Sequence, residues 1–449
     1  MFLHNHSVRA NDVVGLALRR ELDVLVTMLA CARIGATVLP IPKNSPLIAR
    51  DRILEEGKAQ VLLTDVSDYK NDQARNIVID IASLAQTSIE IHSQIRAANP
   101  TAPWLIITGS GSTGRPKMIA VSHAVCLARM SLYSSSINTS LADRVAWLSH
   151  LDFPSTKNQC LNALFSGASI AFFEDANLEP IEFCRRFNIS ILYAAGNRLE
   201  SIIAAQTSDA INVLGSLRAL IVAGATVSDP LRERVRRTLT ENLVVRYGTT
   251  ETGPVADALA PDVYTEPGTL GYPLKGVRIK IVSPQGEVLR PTELGLVSIQ
   301  SAGMVHQYLD DDVASQRAFK GQWFLPGDLG KITPAGQLIY CGRADHMMNM
   351  GGVNIYPAEI ESVIANHHGV RDAAAIPLKS STLQDLPVCA VALHPHVPVT
   401  EDELLNYIYQ RLGMRSPVRV FILDKIPRTE QGKLIRTQLI TDIVRRLHR

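Results

Sequence analysis

Between residues 109 and 117 the chain reads GSGSTGRPK, flanked by the apolar runs WLIIT and MIAVSH. Gly111 and Gly114 let backbone N–H groups face an anion. Ser110, Ser112 and Thr113 add hydroxyl donors, and Lys117 closes the run with a positive charge. Those residue types suit a cradle for phosphate groups. A Walker loop needs GxxxxGK[ST] between a strand and a helix. Here Arg115 and Pro116 follow Gly114, and MIAVSH reads as a second strand, so the loop joins strand to strand. A glycine–serine linker is the plain alternative, but linkers seldom lie between two buried strands or end in Pro-Lys.

Four later segments carry comparable chemistry. In YGTTETG (247–253), small hydroxyls and glycines admit a nucleotide, and Glu251 offers a hard oxygen ligand for magnesium. A buried turn with a solvated glutamate has the same composition. In WFLPGDLG (323–330), Asp328 can accept two hydroxyl groups or merely stabilise its own turn. Arg343, in GRADHMMNMGGVNIYPAEIE (342–361), can reach a ribose or phosphate, or form a surface ion pair. Lys433 sits in PRTEQGKLIR (427–436), a turn with little structural use for a lysine. An isolated lysine in such a turn is usually just solvated.

The elements that must position these residues alternate. VGLAL, ATVLPI, AQVLLT, WLIIT, ASIAFF, ISILYA, ALIVAG and NLVVRYG read as buried strands, with helical patterns such as ELDVLVTMLACARIG and DPLRERVRRTLT between them. That alternation predicts an α/β fold with doubly wound sheets. From about 268 to 341, strands separated by Pro and Gly turns, including a hairpin loop at PQGE, predict a β-rich subdomain. The expected division is therefore a large domain over 1–344 and a small α+β domain over 345–449. In the latter a glycine loop, a helix from Pro357, strands at AAAIPL and VCAVALHP, a helix from Glu401 and a final strand-plus-loop follow one another.

Composition narrows the classes. Hydrophobic residues at 46% and charged residues at 20% describe a globular chain, and a net charge of +2 over 449 residues gives no electrostatic reason to expect nucleic acid. The six cysteines lie far apart, without CxxC pairs, and read as reduced thiols. No histidine pair has metal-ligand spacing, so a metal held by protein ligands alone is not expected. The opening MFLHNHSVRANDVV has no signal-peptide pattern, and LDVLVTMLACARIGATVLPI, broken by Arg33 and Pro40, reads as helix then strand and not as a span. A cytoplasmic protein without membrane insertion is the expectation.

Together and in this order, GSGSTGRPK, YGTTETG, WFLPGDLG, GRADHMMNMGGVNIYPAEIE and PRTEQGKLIR resemble the five signature motifs of the adenylate-forming superfamily: acyl-CoA synthetases, peptide-synthetase adenylation domains and luciferases. Gly109 and Met118 depart from the outer positions of the first motif, and Pro326 stands where threonine is usual. The chain also opens directly on VVGLAL, where the family carries further strands and a helix. The resemblance implies ATP, Mg²⁺ and a thiol as co-substrates and cofactor. It implies that Ser110, Gly111, Ser112, Thr113, Gly114 and Lys117 hold phosphates, and that Gly224, Ala225, Tyr247 and Gly248 line the adenine site. By the same resemblance Thr249 belongs to the nucleotide site, Thr250 contacts the α-phosphate, Glu251 holds Mg²⁺, Asp328 reads the ribose, Arg343 reaches the ribose or phosphate, and Lys433 bridges carboxylate and α-phosphate. The small, mobile C-terminal domain would turn about Asp345, and Gly351 and Gly352 would admit the pantetheine arm.

The implied activity is conversion of a carboxylic acid to an acyl-adenylate, followed by transfer to coenzyme A. A stand-alone enzyme loading the phosphopantetheine of an acyl or aryl carrier protein is the alternative, and a non-catalytic nucleotide-binding member is a third reading. GGVNIYPAEIE is more like the acyl- and aryl-CoA ligases. Phe153, Asn158 and Asn197 are the candidates for the acid pocket, while Lys157 and Arg198 read as surface cations, with pairing to an extra anionic group on the substrate as the alternative. An oxidoreductase is disfavoured, since no GxGxxG follows a strand and opens a helix.

Overall fold

The computed structural model describes residues 2–43, 45–66, 74–80, 99–109, 117–174, 178–207, 209–380, 384–429 and 432–447. It divides into two compact units. One comprises Met1–Asp175, Thr249–Pro254 and Gln300–Gln322; the other comprises Ala176–Gly248, Val255–Ile299 and Trp323–Arg449.

The first unit is built on a sheet of six strands in the order Arg75–Val78, Val61–Thr64, Val13–Ala17, Thr37–Pro40, Pro103–Gly109, Lys117–Ser122. The first four pairings are parallel and the last antiparallel. Continuous apolar runs suit this interior: Val14, Leu39, Leu62 and Leu105 are fully buried. The helix Glu21–Ile34 stops at Gly35, whose φ of 78° returns the chain to the sheet. Ser122 caps the helix His123–Ser134 by accepting from the Val125 N–H, and Pro154 opens the helix Pro154–Phe165, which packs against it.

In the second unit, Ile191–Ala194, Ala219–Ala223 and Leu243–Thr249 run parallel, with Gly253–Ala258 and Tyr272–Pro273 beyond them. Arg246 and Asp257 tie neighbouring strands through two hydrogen bonds of 2.8 and 2.6 Å. The β-rich stretch follows as expected: Gly295–Ser301, Asp328–Ile332 and Leu338–Arg343 form an antiparallel set. The PQGE loop closes with the Ser283 N–H donating to Glu287 O.

The last part of this unit is a mixed sheet. Gln384–Leu393 lies antiparallel to Val370–Ser380 and parallel to Arg419–Ile422. Ile360, Ile364, Leu404 and Ile408, from the helices Pro357–Ala365 and Glu401–Leu412, fill one core with Cys389, Val391 and Val420. Thr400 and Glu403 cap the second helix reciprocally. One expectation needs correcting here. The chain does not finish as a strand and loop: Arg436–Leu447 is a helix that buries Leu439 and Ile443 against Ile376, Val388 and Phe421.

Because Ile443 is fully buried, Ile443→Ala is expected to cost about 2–5 kcal/mol. Gln438→Ala, on the exposed side, should stay within about 0.5 kcal/mol. Urea unfolding of the two variants beside the parent chain measures both.

Candidate active site

The strands on either side of the glycine loop pair Gly109 with Lys117, so the loop does join strand to strand. Ser110, Gly111, Ser112, Thr113 and Gly114 themselves lie outside the described residues. Lys117 places its Nζ 4.9 Å from the centre of the Tyr308 ring. The Tyr308 hydroxyl in turn donates to Oε1 of Glu251 at 2.8 Å. A cation, a phenol and a carboxylate are thereby linked in the first unit. Glu251 Oε2 has no hydrogen-bond partner among the described residues.

The backbone beneath Glu251 is held by a residue that no motif marks. Arg129 is completely buried on the helix His123–Ser134. Its Nε donates to Gly303 O at 2.8 Å, and its Nη2 donates to Thr250 O and Glu251 O at 3.0 and 3.1 Å. Two glycines make room for its stem. A Cβ on Gly253 would come within 2.9 Å of Arg129 Cγ, and one on Gly303 within 2.8 Å. Thr249 closes the same turn from within, its Oγ1 accepting from the Thr252 N–H at 3.1 Å.

A second constellation forms in the other unit. Asp328 heads its strand directly opposite Arg343 on the antiparallel neighbour. Tyr247 donates to Asp328 Oδ2 at 2.5 Å, and Arg343 Nη1 donates to Oδ1 at 3.3 Å and to Pro326 O at 2.6 Å. The rest of the Arg343 fork holds Asp345, at 3.0 and 2.9 Å. Burial pushes the Asp328 carboxyl above the ordinary carboxylate range, against the hydrogen bonds from Tyr247 and Arg343. Burial, then the Asp328 charge, drives the Tyr247 phenol well up. The paired hydrogen bonds to Asp345 raise the Arg343 guanidinium.

Gly224 follows the strand Ala219–Ala223 with a φ of 91°, and Ala225 comes next. The turn that carries Lys433 lies against this point. Asn197 Nδ2 donates to Thr429 O at 3.4 Å, and a Cβ on Gly432 would stand 3.4 Å from Asn197 Oδ1 and 3.6 Å from the Ala225 Cβ. Asn197, an acid-pocket candidate in sequence, thus touches the lysine turn. That turn is closed by the Gly432 N–H to Thr429 O and the Thr429 N–H to Lys433 O, both 2.8 Å, with Lys433 exposed. Gly248 is also exposed, and Thr250 half-buried.

Asp345 lies in a short 3₁₀ turn, Ala344–His346. The next residue, His346, accepts a 3.0 Å hydrogen bond at Nδ1 from Arg436. Burial and then the Arg436 charge bring its imidazole down to about 4, so it is neutral at physiological pH. Gly351 and Gly352 form the tip of a hairpin between Met348–Met350 and Val353–Ile355, with φ of 59° and 92°. Two consecutive left-handed residues are what a tight hairpin tip requires.

Phe153 and Asn158 flank the start of the helix Pro154–Phe165, Phe153 half-buried and Asn158 buried with no partner for its Oδ1 among the described residues. Arg198 is exposed, as expected. Lys157 is not: it is buried, donating to Leu151 O at 2.6 Å and Asp152 O at 2.5 Å. Its long apolar stem lets the ammonium turn back onto the chain entering its own helix. Burial lowers it to about 8 despite the nearby Asp152 and Glu21 carboxylates.

No three His, Cys, Asp or Glu side chains gather as a metal site among the described residues. Magnesium in nucleotide sites leans on one or two carboxylates plus phosphate oxygens, and the half-buried Glu251, oriented through one oxygen, fits that demand. No helix among the described residues is long and apolar enough to cross a membrane.

Residues 1–309 match the family model of AMP-binding enzymes. The chain belongs to the AMP-binding enzyme family. Residues 359–433 match the model of the AMP-binding enzyme C-terminal domain, so the resemblance carried by the motifs holds. Among curated AMP-binding relatives, the 2-succinylbenzoate–CoA ligase of Bacillus subtilis is 28% identical over 453 residues, covering 97% of this chain and 88% of that protein. The indoleacetate–CoA ligase of Aromatoleum aromaticum is 28% identical over 439 residues, covering 92% and 84%. The fold is that of the O-succinylbenzoate coenzyme A synthetase of Bacillus subtilis solved with ATP and magnesium, at a TM-score of 0.83 and 24% identity, covering 98% of this chain and 91% of that one. The α/β class expected from the strand and helix pattern holds with it.

The low Lys157 value makes stability depend on pH. The folded chain releases this proton near pH 8 and the unfolded chain near 10.5. Between those values the unfolded state binds more protons, so stability rises with pH, by at most about 3 kcal/mol. Measured by urea unfolding, the difference between the parent chain and Lys157→Met should shift in the parent's favour from pH 8 to pH 10.5. A constant difference would show that Lys157 stays charged.

Proposed function

We infer that this chain is an ATP-dependent acid–thiol ligase that joins a carboxylic acid to coenzyme A through an acyl-adenylate. The observation that carries this reading is the match of both family models, over 1–309 and 359–433, with two CoA ligases aligned over 92% or more of the chain. In the first step an oxygen of the acid attacks the α-phosphorus of ATP, the bond from that phosphorus to the bridging oxygen breaks, and pyrophosphate leaves. In the second step the thiol sulfur attacks the acyl carbon and gives its proton to solvent, the acyl–phosphate bond breaks, and AMP departs with the electron pair.

Each residue takes a role in this reading. Ser110, Gly111, Ser112, Thr113, Gly114 and Lys117 hold the phosphates. Gly224, Ala225, Tyr247 and Gly248 border adenine, Thr249 and Thr250 face the α-phosphate, and Asp328 and Arg343 bind the ribose. Glu251 would hold magnesium, which would supply charge neutralisation at the polyphosphate. Lys433 offsets the charge that builds where carboxylate and α-phosphate meet, and its turn beside Ala225 and Asn197 supports that role. Phe153, Asn158 and Asn197 are assigned to the acid. Residues 345–449 act as a mobile domain that turns about Asp345, exchanging the Lys433 turn for the Gly351–Gly352 tip. That exposed hairpin tip also suits a pantetheine carried on a protein, the second acceptor considered. Six free thiols suit a reducing compartment, and we assign the enzyme to the cytoplasm.

Incubation with ATP, Mg²⁺ and a panel of carboxylic acids, with and without coenzyme A, tests the reading by mass spectrometry. Acyl-AMP without coenzyme A and acyl-CoA with it are expected. Acyl-AMP that accumulates regardless of coenzyme A would favour the carrier-protein acceptor. Lys433→Ala should lower ATP–pyrophosphate exchange by about 10²–10³-fold while still passing a supplied acyl-adenylate to the thiol. Equal loss in both steps would remove Lys433 from its assigned role.

A further inference from the structure

Tyr308 belongs to none of the five motifs, yet it touches two of them. Its ring is buried, and its position is fixed from three directions. Its N–H donates to Ser315 Oγ at 2.9 Å, Phe319 meets its ring edge-on at 5.4 Å, and the following Leu309 N–H donates to Met118 O at 2.8 Å. Ser315 is itself held, through its hydroxyl, on the carbonyl of Asp311 at 2.7 Å. On this fixed ring the phenol donates to Glu251 Oε1, and the face carries the Lys117 ammonium.

We propose that Tyr308 is a positioning residue that orients Glu251 for the metal and Lys117 for the phosphates of ATP. The inference rests on the reading of Glu251 as the magnesium carboxylate. A glutamate with one oxygen committed to a phenol keeps a single rotamer and presents the other oxygen, Oε2, to a cation without first losing side-chain freedom. The ring face holds the ammonium by cation–π attraction and consumes none of its three N–H donors, which remain available to phosphate oxygens. The hydroxyl and the ring therefore have separable tasks.

Calorimetric titration of the full chain with ATP, once in EDTA and once with Mg²⁺, separates them. The parent chain should bind ATP more tightly with Mg²⁺. Tyr308→Phe, which keeps the ring, should reduce that metal-dependent gain about tenfold while leaving the affinity in EDTA within about twofold. In a Glu251→Gln background, Tyr308→Phe should change neither affinity. Tyr308→Leu should weaken binding in EDTA as well, because Lys117 loses its platform. A Tyr308→Phe chain with the full metal gain, or one that loses both affinities together, would overturn the hydroxyl's role. A Tyr308→Leu chain that binds metal-free ATP like the parent would overturn the ring's role. A parent chain with no metal gain would instead bring down the reading of Glu251, and the inference with it.

Discussion

A guanidinium taken wholly out of water is tolerable only where its donors find acceptors, and Arg129 meets three backbone carbonyls through Nε and Nη2, with its Nη1 unpartnered and no carboxylate in ion-pair reach among the described residues. That choice of partner matters. Carbonyl oxygens of Thr250, Glu251 and Gly303 belong to irregular segments, and one side chain ties all three together, with the Val305 N–H adding a second bond to Glu251 O. The side chain of Glu251 then points where its backbone sends it, while Tyr308 sets its final torsions. Replacing Arg129 would leave the Thr250 and Gly303 carbonyls without this donor, each costing about 1–3 kcal/mol if still buried, while Glu251 O would keep the Val305 N–H at 2.9 Å. Gly253 and Gly303 exist in the same arrangement, since either with a side chain would collide with the arginine stem.

Asp328 shows a different use of burial. Its carboxylate stands at the head of a strand, shielded from water, with one oxygen on Tyr247 and the other on Arg343. An acceptor built this way has a fixed direction and a limited number of open lone pairs, which suits the two neighbouring hydroxyls of a ribose better than a solvated side chain would. The raised carboxyl and the raised phenol have the same cause, low-dielectric surroundings. The two groups share one proton donor and one acceptor in an unambiguous order.

What could be read from sequence was what is local. The glycine loop, the TTETG turn, the PGD segment and the GK turn are each a few residues long, and their composition states their backbone needs. The continuous apolar runs announced the parallel strands for the same reason. Arg129 and Tyr308 were not legible because their partners are remote: Arg129 reaches carbonyls 121 to 174 positions away, and Tyr308 a carboxylate 57 positions back. Lys157 was misjudged because a polar helix start, PSTKNQ, looks solvated until the turn at Leu151 and Asp152 folds over it. The terminal helix was a different failure. Leu439, Ile440, Ile443, Val444 and Leu447 do recur with helical spacing, but so short an apolar run fits a final strand and loop as well as a helix until Leu439 and Ile443 are seen buried.

The divided fork of Arg343 has a consequence beyond holding two carboxylates. One arm serves Asp328, the group assigned to the ribose, and the other serves Asp345, where the chain enters its last hundred or so residues. A bound sugar that competes for the first arm changes the free energy of the second, and a rotation at Asp345 that frees the second changes what the first can offer. If Asp328 takes the ribose and the chain turns at Asp345, as proposed, the two events would be thermodynamically conjugate, each altering the other by the same amount. Occupancy of the nucleoside and orientation of the C-terminal module would report on one another through a single planar cation, with no need for a path through the core.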